Sequence, residues 1–385
     1  MVQRVRAGEA LRAVARVFKV SVSTVSHWVS RSHGQRLDRF AFADGKPGRA
    51  WNRSVASLER RVLHARVELR KHSVLGEYGA NAIQRTLRDD RVHPGVPSRA
   101  TVNRILRRRG ALDAVQRIRR PAPPRGWYLP AVAAARADLD SFDFIEDLKI
   151  AKGPLVQVLT AKSLHGGLAN AWPMERASAK AAVQCLRLRW RRDGLPAYAQ
   201  FDNDTVFQGG HRFADSVGRV SRLCLALGVV PVFVPPLEHG MQNHIESFNA
   251  LWQAKVWQRH HVPSLPVLKE LSDRYIAAHR ARATQRAESA PPRQPMPRGF
   301  ELNLSAPLRG LMIFIRRTNH RGQVSLLGRH FLISRDWMHR LVRCELDFDH
   351  HRIRCFALRR RAPDDQQLLA TLHYRFPDKP FQGAK

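Results

Sequence analysis

Cysteine is rare in this chain: Cys185, Cys224, Cys344 and Cys355 are the four in 385 residues, and no two of them form a C-x-x-C pair. That spacing supports neither a disulfide framework nor a thiolate zinc site, and it suits a reducing compartment. Long apolar runs are missing as well. None reaches the roughly 18 residues that a membrane span needs, and the opening Met1-Val2-Gln3-Arg4-Val5-Arg6 lacks the apolar stretch of a signal peptide. The expectation is a soluble, unexported, cytoplasmic protein with no membrane partner. Negative charge is the third shortage. Asp and Glu number 32 against 66 Lys and Arg, a net of +34 with His neutral. That is far past the magnitude of about 2–8 that solubility asks of a small domain, and it points to a polyanion as partner.

The acidic residues are not spread evenly. Residues 1–136 hold 29 basic and 9 acidic side chains, residues 137–250 hold 12 of each, and residues 251–385 hold 25 and 11. A neutral centre between cationic flanks reads as a catalytic module held on nucleic acid by its neighbours, because neutralising phosphates and releasing their counterions supplies most sequence-independent affinity. A ribosomal or chromatin-like basic protein is the plainer alternative, but such proteins seldom contain a neutral, apolar block of 114 residues.

The length allows two to four domains, and the patterning divides the chain further. Residues 1–50 read as a helix-turn-helix over Glu9 to Arg31. Ala15 stands where two helices approach, Lys19 occupies a turn position that favours positive φ, Ser21 or Ser23 caps the second helix, and Val25 and Trp28 pack back on the first. Ser23, Thr24, Ser26 and His27 then face outward. Residues 51–113 read as a second, winged-helix-like helix-turn-helix. One helix begins near Ala80; another, Arg99 to Arg109, is capped by Ser98, with Val102, Ile105 and Leu106 inward and Arg104, Arg107, Arg108 and Arg109 outward. A plain helical hairpin and a solvated charged face are the structural alternatives to DNA binding in the two modules. Residues 114–136, with Arg119, Arg120 and Arg125 among four prolines, read as an extended cationic linker able to follow a phosphate backbone. Residues 137–290 alternate strands and helices; residues 300–361 carry five short strands with turns at Gly322 and Gly328, the pattern of a small β-barrel; residues 362–385 read as a polar tail.

Three acidic residues in the neutral block stand out. Asp143 lies inside the apolar strand Phe142-Asp143-Phe144-Ile145, and Asp202 ends the strand Tyr198-Ala199-Gln200-Phe201. Glu246 flanks a helix from about Gln242 to Gln258 whose stripe is Ile245, Phe248, Trp252 and Val256. A single Asp after a strand is usually a turn former. Three carboxylates delivered by a strand, a strand end and a helix of one α/β block are what a pair of hard divalent cations needs for phosphoryl transfer. Asp138, Asp140 and Asp147 crowd round Asp143; Asp140 is the alternative first carboxylate and Asp204 the alternative second.

Asp202-Asn203 with Phe207 resembles the D-N-G-x-x-F strand end of the D-D-E integrase core found in insertion-sequence transposases and retroviral-type integrases. Pro235-Pro236 followed by Asn243, Glu246, Ser247, Phe248 and Asn249 resembles that family's P-x-x-N-G-x-x-E-x-x-N helix, and Asp143-Phe144 is similar to a D-F-x-G element of related transposases. Asp204 and His244 stand where Gly is common. The 43 residues between Asp202 and Glu246 make a longer spacer than in retroviral integrases, which a surface loop absorbs easily.

The resemblance runs over nearly the whole chain. It implies a multidomain fold, with N-terminal all-α helix-turn-helix modules, a central α/β ribonuclease H-like core and a C-terminal small β-barrel. It implies Asp143, Asp202 and Glu246 as catalytic metal ligands, with Asn203, Asn243 and Asn249 in support. Ser23, Thr24, His27, Arg104, Arg107, Arg108, Arg119, Arg120, Arg125 and Lys255 become the expected DNA contacts. Two Mg²⁺ ions, or Mn²⁺ in their place, would serve water-driven cleavage at transposon ends and attack of the freed 3′-OH on target DNA. The partner is double-stranded DNA, bound by a homo-oligomer in a bacterial, nucleoid-associated setting. His211, His239 and His244 are expected as surface groups or DNA contacts, and no zinc is expected. Two other readings compete: a DNA-binding regulator with an inactive core, which the intact acidic residues oppose, and a ribonuclease H-like nuclease, which two duplex-binding modules oppose.

Overall fold

The computed structural model describes residues 1–32, 54–89, 95–112, 126–151, 153–210, 214–235, 238, 240–360, 362–377 and 381. The chain divides into two compact units, Met1–Glu68 with Tyr78–Asp113, and Leu69–Glu77 with Ala114–Lys385.

In the first unit, α1 (Val2–Arg6), α2 (Leu11–Phe18) and α3 (Val22–Arg31) enclose Val14, Ala15 and Val25. Ser21 caps α3 by accepting the Thr24 N–H at 3.0 Å, a contact of ~1 kcal/mol. Lys19 takes the left-handed φ of 52° in the turn between α2 and α3. Val29 joins this small core, whereas Trp28 lies edge-on to His27 with Arg31 over its ring. Then come α4 (Ala56–His72), α5 (Ala80–Asp89) and α6 (Arg99–Arg108). Ser98 caps α6 through the Thr101 N–H at 3.2 Å, and Val102, Ile105 and Leu106 are buried as their spacing predicts. Glu59 is buried and paired with Arg108 and Arg109, so part of the basic ridge is spent on an internal carboxylate.

The second unit is a mixed α/β structure. Trp127, Tyr128 and Leu129 are buried just before α7 (Pro130–Ala133). The described part of the expected linker, residues 126–136, is therefore anchored in the core, since three consecutive large apolar groups gain more from burial than from an extended path in water. Arg119, Arg120 and Arg125 lie outside the described residues.

The strands are β1 (Leu139–Lys149), β2 (Leu155–Ser163), β3 (Ala169–Met174), β4 (Tyr198–Phe201), β5 (Val230–Phe233), β6 (Leu311–Arg317), β7 (Gln323–Leu326), β8 (Arg329–Leu332), β9 (Leu341–Asp347), β10 (Arg352–Ala357) and β11 (Leu368–His373). Nine of them form one open sheet in the order β11-β10-β9-β6-β5-β4-β1-β2-β3, and β7 pairs with β8. The centre, β1-β4-β5-β6, is parallel, and both wings are antiparallel. One face lies under α8 (Ala179–Asp193) and α10 (Arg219–Ala226) and carries a row of four phenylalanines. Phe142, Phe201, Phe233 and Phe314 stand on four adjacent strands with ring centroids 5.2, 5.9 and 5.4 Å apart. The opposite face of β1, β2 and β3 packs against α11 (Asn243–Trp252), its π-helical continuation Gln253–Trp257, and α12 (Leu265–Glu288).

Among the described residues the expected small β-barrel does not form. Both sheets are open, and β6, β9, β10 and β11 extend the core sheet beyond β5. The cause lies in β5, whose Val232 and Phe233 are both fully buried. Left at an edge they would bare apolar surface and unpaired main-chain groups; instead Val232 pairs with Ile313 and Phe233 with Phe314. Past Ala362, where a polar tail is expected, β11 pairs with β10. The 24-residue α12 is also unforeseen, because its buried Leu268, Tyr275, Ile276 and Ala283 are scattered among charged neighbours. Among the described residues no helix is long and apolar enough to cross a membrane.

Candidate active site

Side chains along β1 alternate between the faces of the sheet. Asp140 and Phe142 turn toward α8, where they meet Trp190. Asp143 and Ile145 turn toward α11. The parallel pairing ends at Ser141 with Gln200, and Asp202 stands just past the end of β4, near enough for its charge to act on Asp143. On the other flank Asp143 pairs with Thr160 of β2. Asn249 of α11 reaches down to this spot: its Nδ2 donates to Asp143 Oδ2 at 2.8 Å. Thr160 Oγ1 lies 2.9 Å from the Asp143 carbonyl and 2.7 Å from Asn249 Oδ1, and donates to one at a time. Glu246 precedes Asn249 by one turn on the same side of α11 and is exposed.

Electrostatics bind these residues into one group. Burial, then the charge of Asp202, and further the charge of Glu246 push the Asp143 carboxyl up to about 7, against the opposing pull of the Phe144 N–H and Asn249. Burial also raises Asp202, with Asp204 and Glu146 adding to it, while the Asp204 N–H, 3.0 Å from Asp202 Oδ1, pulls the other way. Asp143 stands in a field of like charge that a cation would relieve. The donors are all carboxylate oxygens, which suits a hard divalent ion. Among the described residues no group of three or more His, Cys, Asp or Glu is arranged to hold a metal ion as it stands. The three carboxylates are neighbours whose side chains would have to draw together round a cation.

The alternatives to these residues have other tasks. Asp140 is buried on the opposite face, where Arg189 Nη2 and Arg293 Nη2 each lie 2.7 Å from its Oδ1. Burial alone would push its carboxyl up; the two guanidiniums outweigh that and hold it well below the usual carboxylate range. Asp138 accepts from the Leu139 and His165 N–H groups and pairs with Arg293. Asp204 caps the short α9 (Thr205–Gln208), accepting the Val206 N–H at 2.7 Å. The end of α9 is held by a close approach of two glycines. A Cβ on Gly209, whose φ is 111°, would fall 2.6 Å from the Gly218 nitrogen, so no larger residue fits there without moving the backbone.

Asn203 Nδ2 donates to the Val234 carbonyl at 2.6 Å, joining the ends of β4 and β5. Asn243 opens α11 and is exposed; its carbonyl accepts from Ser247 Oγ. His244 Nε2 lies 2.9 Å from the Ser163 carbonyl. His211, His239 and Pro236 lie outside the described residues. Lys255 Nζ donates to the Gly76 carbonyl at 3.3 Å.

Of the expected DNA contacts in the first unit, His27, Arg104 and Arg107 are exposed. Ser23 and Thr24 place their hydroxyls 2.8 and 2.7 Å from the capping Ser21 Oγ, and Arg108 pairs with Glu59.

Sequence reasoning passed over Glu146. β1 carries a bulge between Ile145 and Leu148, with Asp147 at a φ of 57°. Bulges re-aim side chains, and here the Glu146 charge reaches Asp202. Two acidic residues in a row at the end of an apolar strand were the available signal.

No protein-family model matches the sequence, and no curated protein matches it. Among solved structures, a chain of the simian T-cell lymphotropic virus intasome in complex with PP2A regulatory subunit B56 gamma is similar at 12% identity, covering 69% of this chain and 88% of that one, with a TM-score of 0.34. The catalytic core domain of BIV integrase is similar at 15% identity, covering 36% of this chain and 81% of that one, with a TM-score of 0.28. The HTLV-2 integrase catalytic core domain, in complex with magnesium, is similar at 11% identity, covering 41% of this chain and 87% of that one, with a TM-score of 0.27. At such low scores the reading of the site rests on this chain's own residues.

Proposed function

We propose that this chain is a D-D-E transposase or integrase that hydrolyses DNA at transposon ends and transfers the resulting 3′-OH into target DNA, with double-stranded DNA as its partner and a homo-oligomer as the working form. The observation that supports the reading is that Asp143, on a strand, feels the charges of Asp202, just past a strand end, and of Glu246, on a helix.

In this reading the three carboxylates hold two Mg²⁺ or Mn²⁺ ions. When bound, such a pair supplies a Lewis acid at the scissile phosphate and lowers the pKa of the attacking water or hydroxyl. The rest falls to the chain itself. Asn249 orients the Asp143 carboxylate by donating to its Oδ2. Burial and the charges of Asp202 and Glu246 keep a proton on Asp143 up to about pH 7, and the carboxyl would release it on holding a cation. The turn after β4 fixes Asp202 through the Asp204 N–H. The excess positive charge of residues 1–136 and 251–385 holds the phosphate backbone and makes binding steeply salt-dependent.

The test is strand transfer on end-bearing oligonucleotides in Mg²⁺, comparing the parent with Asp143→Asn, Asp202→Asn and Glu246→Gln. Each variant is expected to lose several kcal/mol of transition-state stabilisation, ~10³-fold or more in rate, while binding DNA as before. Full activity in any variant removes that residue from the site. Gel filtration with end DNA is expected to give at least a dimer, and a monomer alone would oppose the oligomeric form.

A further inference from the structure

Arg316 is the least expected neighbour of the site, since its strand belongs to the segment that reads in the sequence as a separate barrel. It lies on β6 with its guanidinium 4.9 Å from the centre of the Phe314 ring. Its acceptors among the described residues are all neutral oxygens. Nη2 donates to Asn203 Oδ1 at 2.8 Å, Nη1 to the carbonyls of Ile315, Phe233 and Val234 at 2.9, 3.3 and 3.4 Å, and Nε to that of Ser325 at 3.3 Å. Burial lowers its pKa to about 10, a sign of how strongly the surroundings disfavour a charge there. A guanidinium kept in such a place without a carboxylate among its acceptors is tolerated when its planar fork fastens several groups at once.

What it fastens is the base of the carboxylate site. Val234 N–H donates to the Phe201 carbonyl at 3.2 Å, Asn203 Nδ2 donates to the Val234 carbonyl at 2.6 Å, and Arg316 closes the third side by holding Asn203 Oδ1. The ends of β4, β5 and β6 are stitched together at the residue next to Asp202. The Asn203 amide uses both of its ends in this knot, so its orientation is set by Arg316 on one side and Val234 on the other.

We propose that Arg316 is a positioning residue: acting through Asn203, it sets the 202–204 turn and so the direction in which Asp202 presents its carboxylate. This rests on the reading of Asp202 as a cation ligand, and the test separates the two. Amide exchange across residues 202–208, followed by mass spectrometry on the full chain, reports the turn, because the Asp204 N–H is bonded to Asp202 Oδ1 and exchanges when that bond opens. Arg316→Met and Asn203→Ala are each expected to speed exchange there by about 10-fold or more, and Arg316→Lys, which cannot span the same oxygens, is expected not to restore it. Arg222→Met is the control. It removes another guanidinium held by carbonyls, those of Val217, Leu304 and Ala306, and should lower global stability while leaving the segment protected. Mn²⁺ titration followed by electron paramagnetic resonance is expected to show affinity weakened about 10- to 100-fold in Arg316→Met and Asn203→Ala. If Arg316→Met fails to fold, Asn203→Ala and Arg316→Lys decide. Unchanged exchange in these variants, or equal loss in Arg222→Met, overturns the proposal. Absence of Mn²⁺ binding in the parent overturns the reading of the site as a cation centre, and exchange still decides the role of Arg316.

Discussion

Asp143→Asn is expected to stabilise the protein at pH 8 and to change little at pH 4. The carboxyl is held at about 7 in the fold, against ~3.9 in an unfolded chain. Between those values the unfolded chain has released the proton and the folded one retains it. The native state therefore binds more protons, and stability falls as pH rises through this window. Below the unfolded value both states are neutral and the penalty vanishes; above about 7 both are charged and it is complete. At 1.36 kcal/mol per pH unit the whole difference is about 4 kcal/mol, and the partial exposure of Asp143 reduces it to about 2 kcal/mol. The Asn side chain keeps an oxygen for Asn249 Nδ2 to bond, so no buried donor is stranded. For a unit of this size the gain corresponds to a rise of ~4–8 °C in Tm at pH 8. The assay is thermal or urea unfolding of parent and variant from pH 4 to 8, with chelator and then with excess Mg²⁺. In chelator the two stability curves should diverge upward from about pH 5. With Mg²⁺ the parent should gain more than the variant, because only the parent offers the third carboxylate. Parallel curves over the whole range would refute the idea that Asp143 carries an uncompensated charge.

Asp140→Asn should act in the opposite sense, costing about 1–3 kcal/mol in urea unfolding, because the buried Arg189 and Arg293 lose the carboxylate they share and keep only Asp193 and Asp138; a neutral result would oppose the ion-pair role. Asn249→Leu releases Asp143 Oδ2 and should cut strand transfer about 10- to 100-fold, and undiminished rates would remove Asn249 from the site. A chain ended at residue 300 loses β6 and everything beyond it. It should aggregate or melt without cooperativity, because Val232 and Phe233 become an open edge; a soluble fragment with a sharp transition would contradict the account of the nine-stranded sheet.

The parts of this architecture that local chemistry dictates could be read directly from the residues. Ser21 and Ser98 each cap the helix their positions predict. Strands β1 to β5 lie where apolar runs are bounded by turn residues. The five short strands after residue 300 are also present, but their partners were misjudged. Strand periodicity reports which face is buried and says nothing about which edge a strand joins; that choice is made by non-local matches such as Phe233 with Phe314. The same limit explains the site. Alternation along β1 separates Asp140 from Asp143 by face, since the two stand three positions apart. Which face looks toward the helix bearing Glu246 depends on α8 and α11 taking opposite sides, a tertiary fact. Charge counting found the neutral block, yet it could not show that Arg189 and Arg293 consume Asp138 and Asp140 inside it. With those two acids neutralised in the core, Asp143 is left facing the charges of Asp202 and Glu246, and Asp202 those of Asp204 and Glu146. A domain that is neutral in sum thus carries a local excess of negative charge.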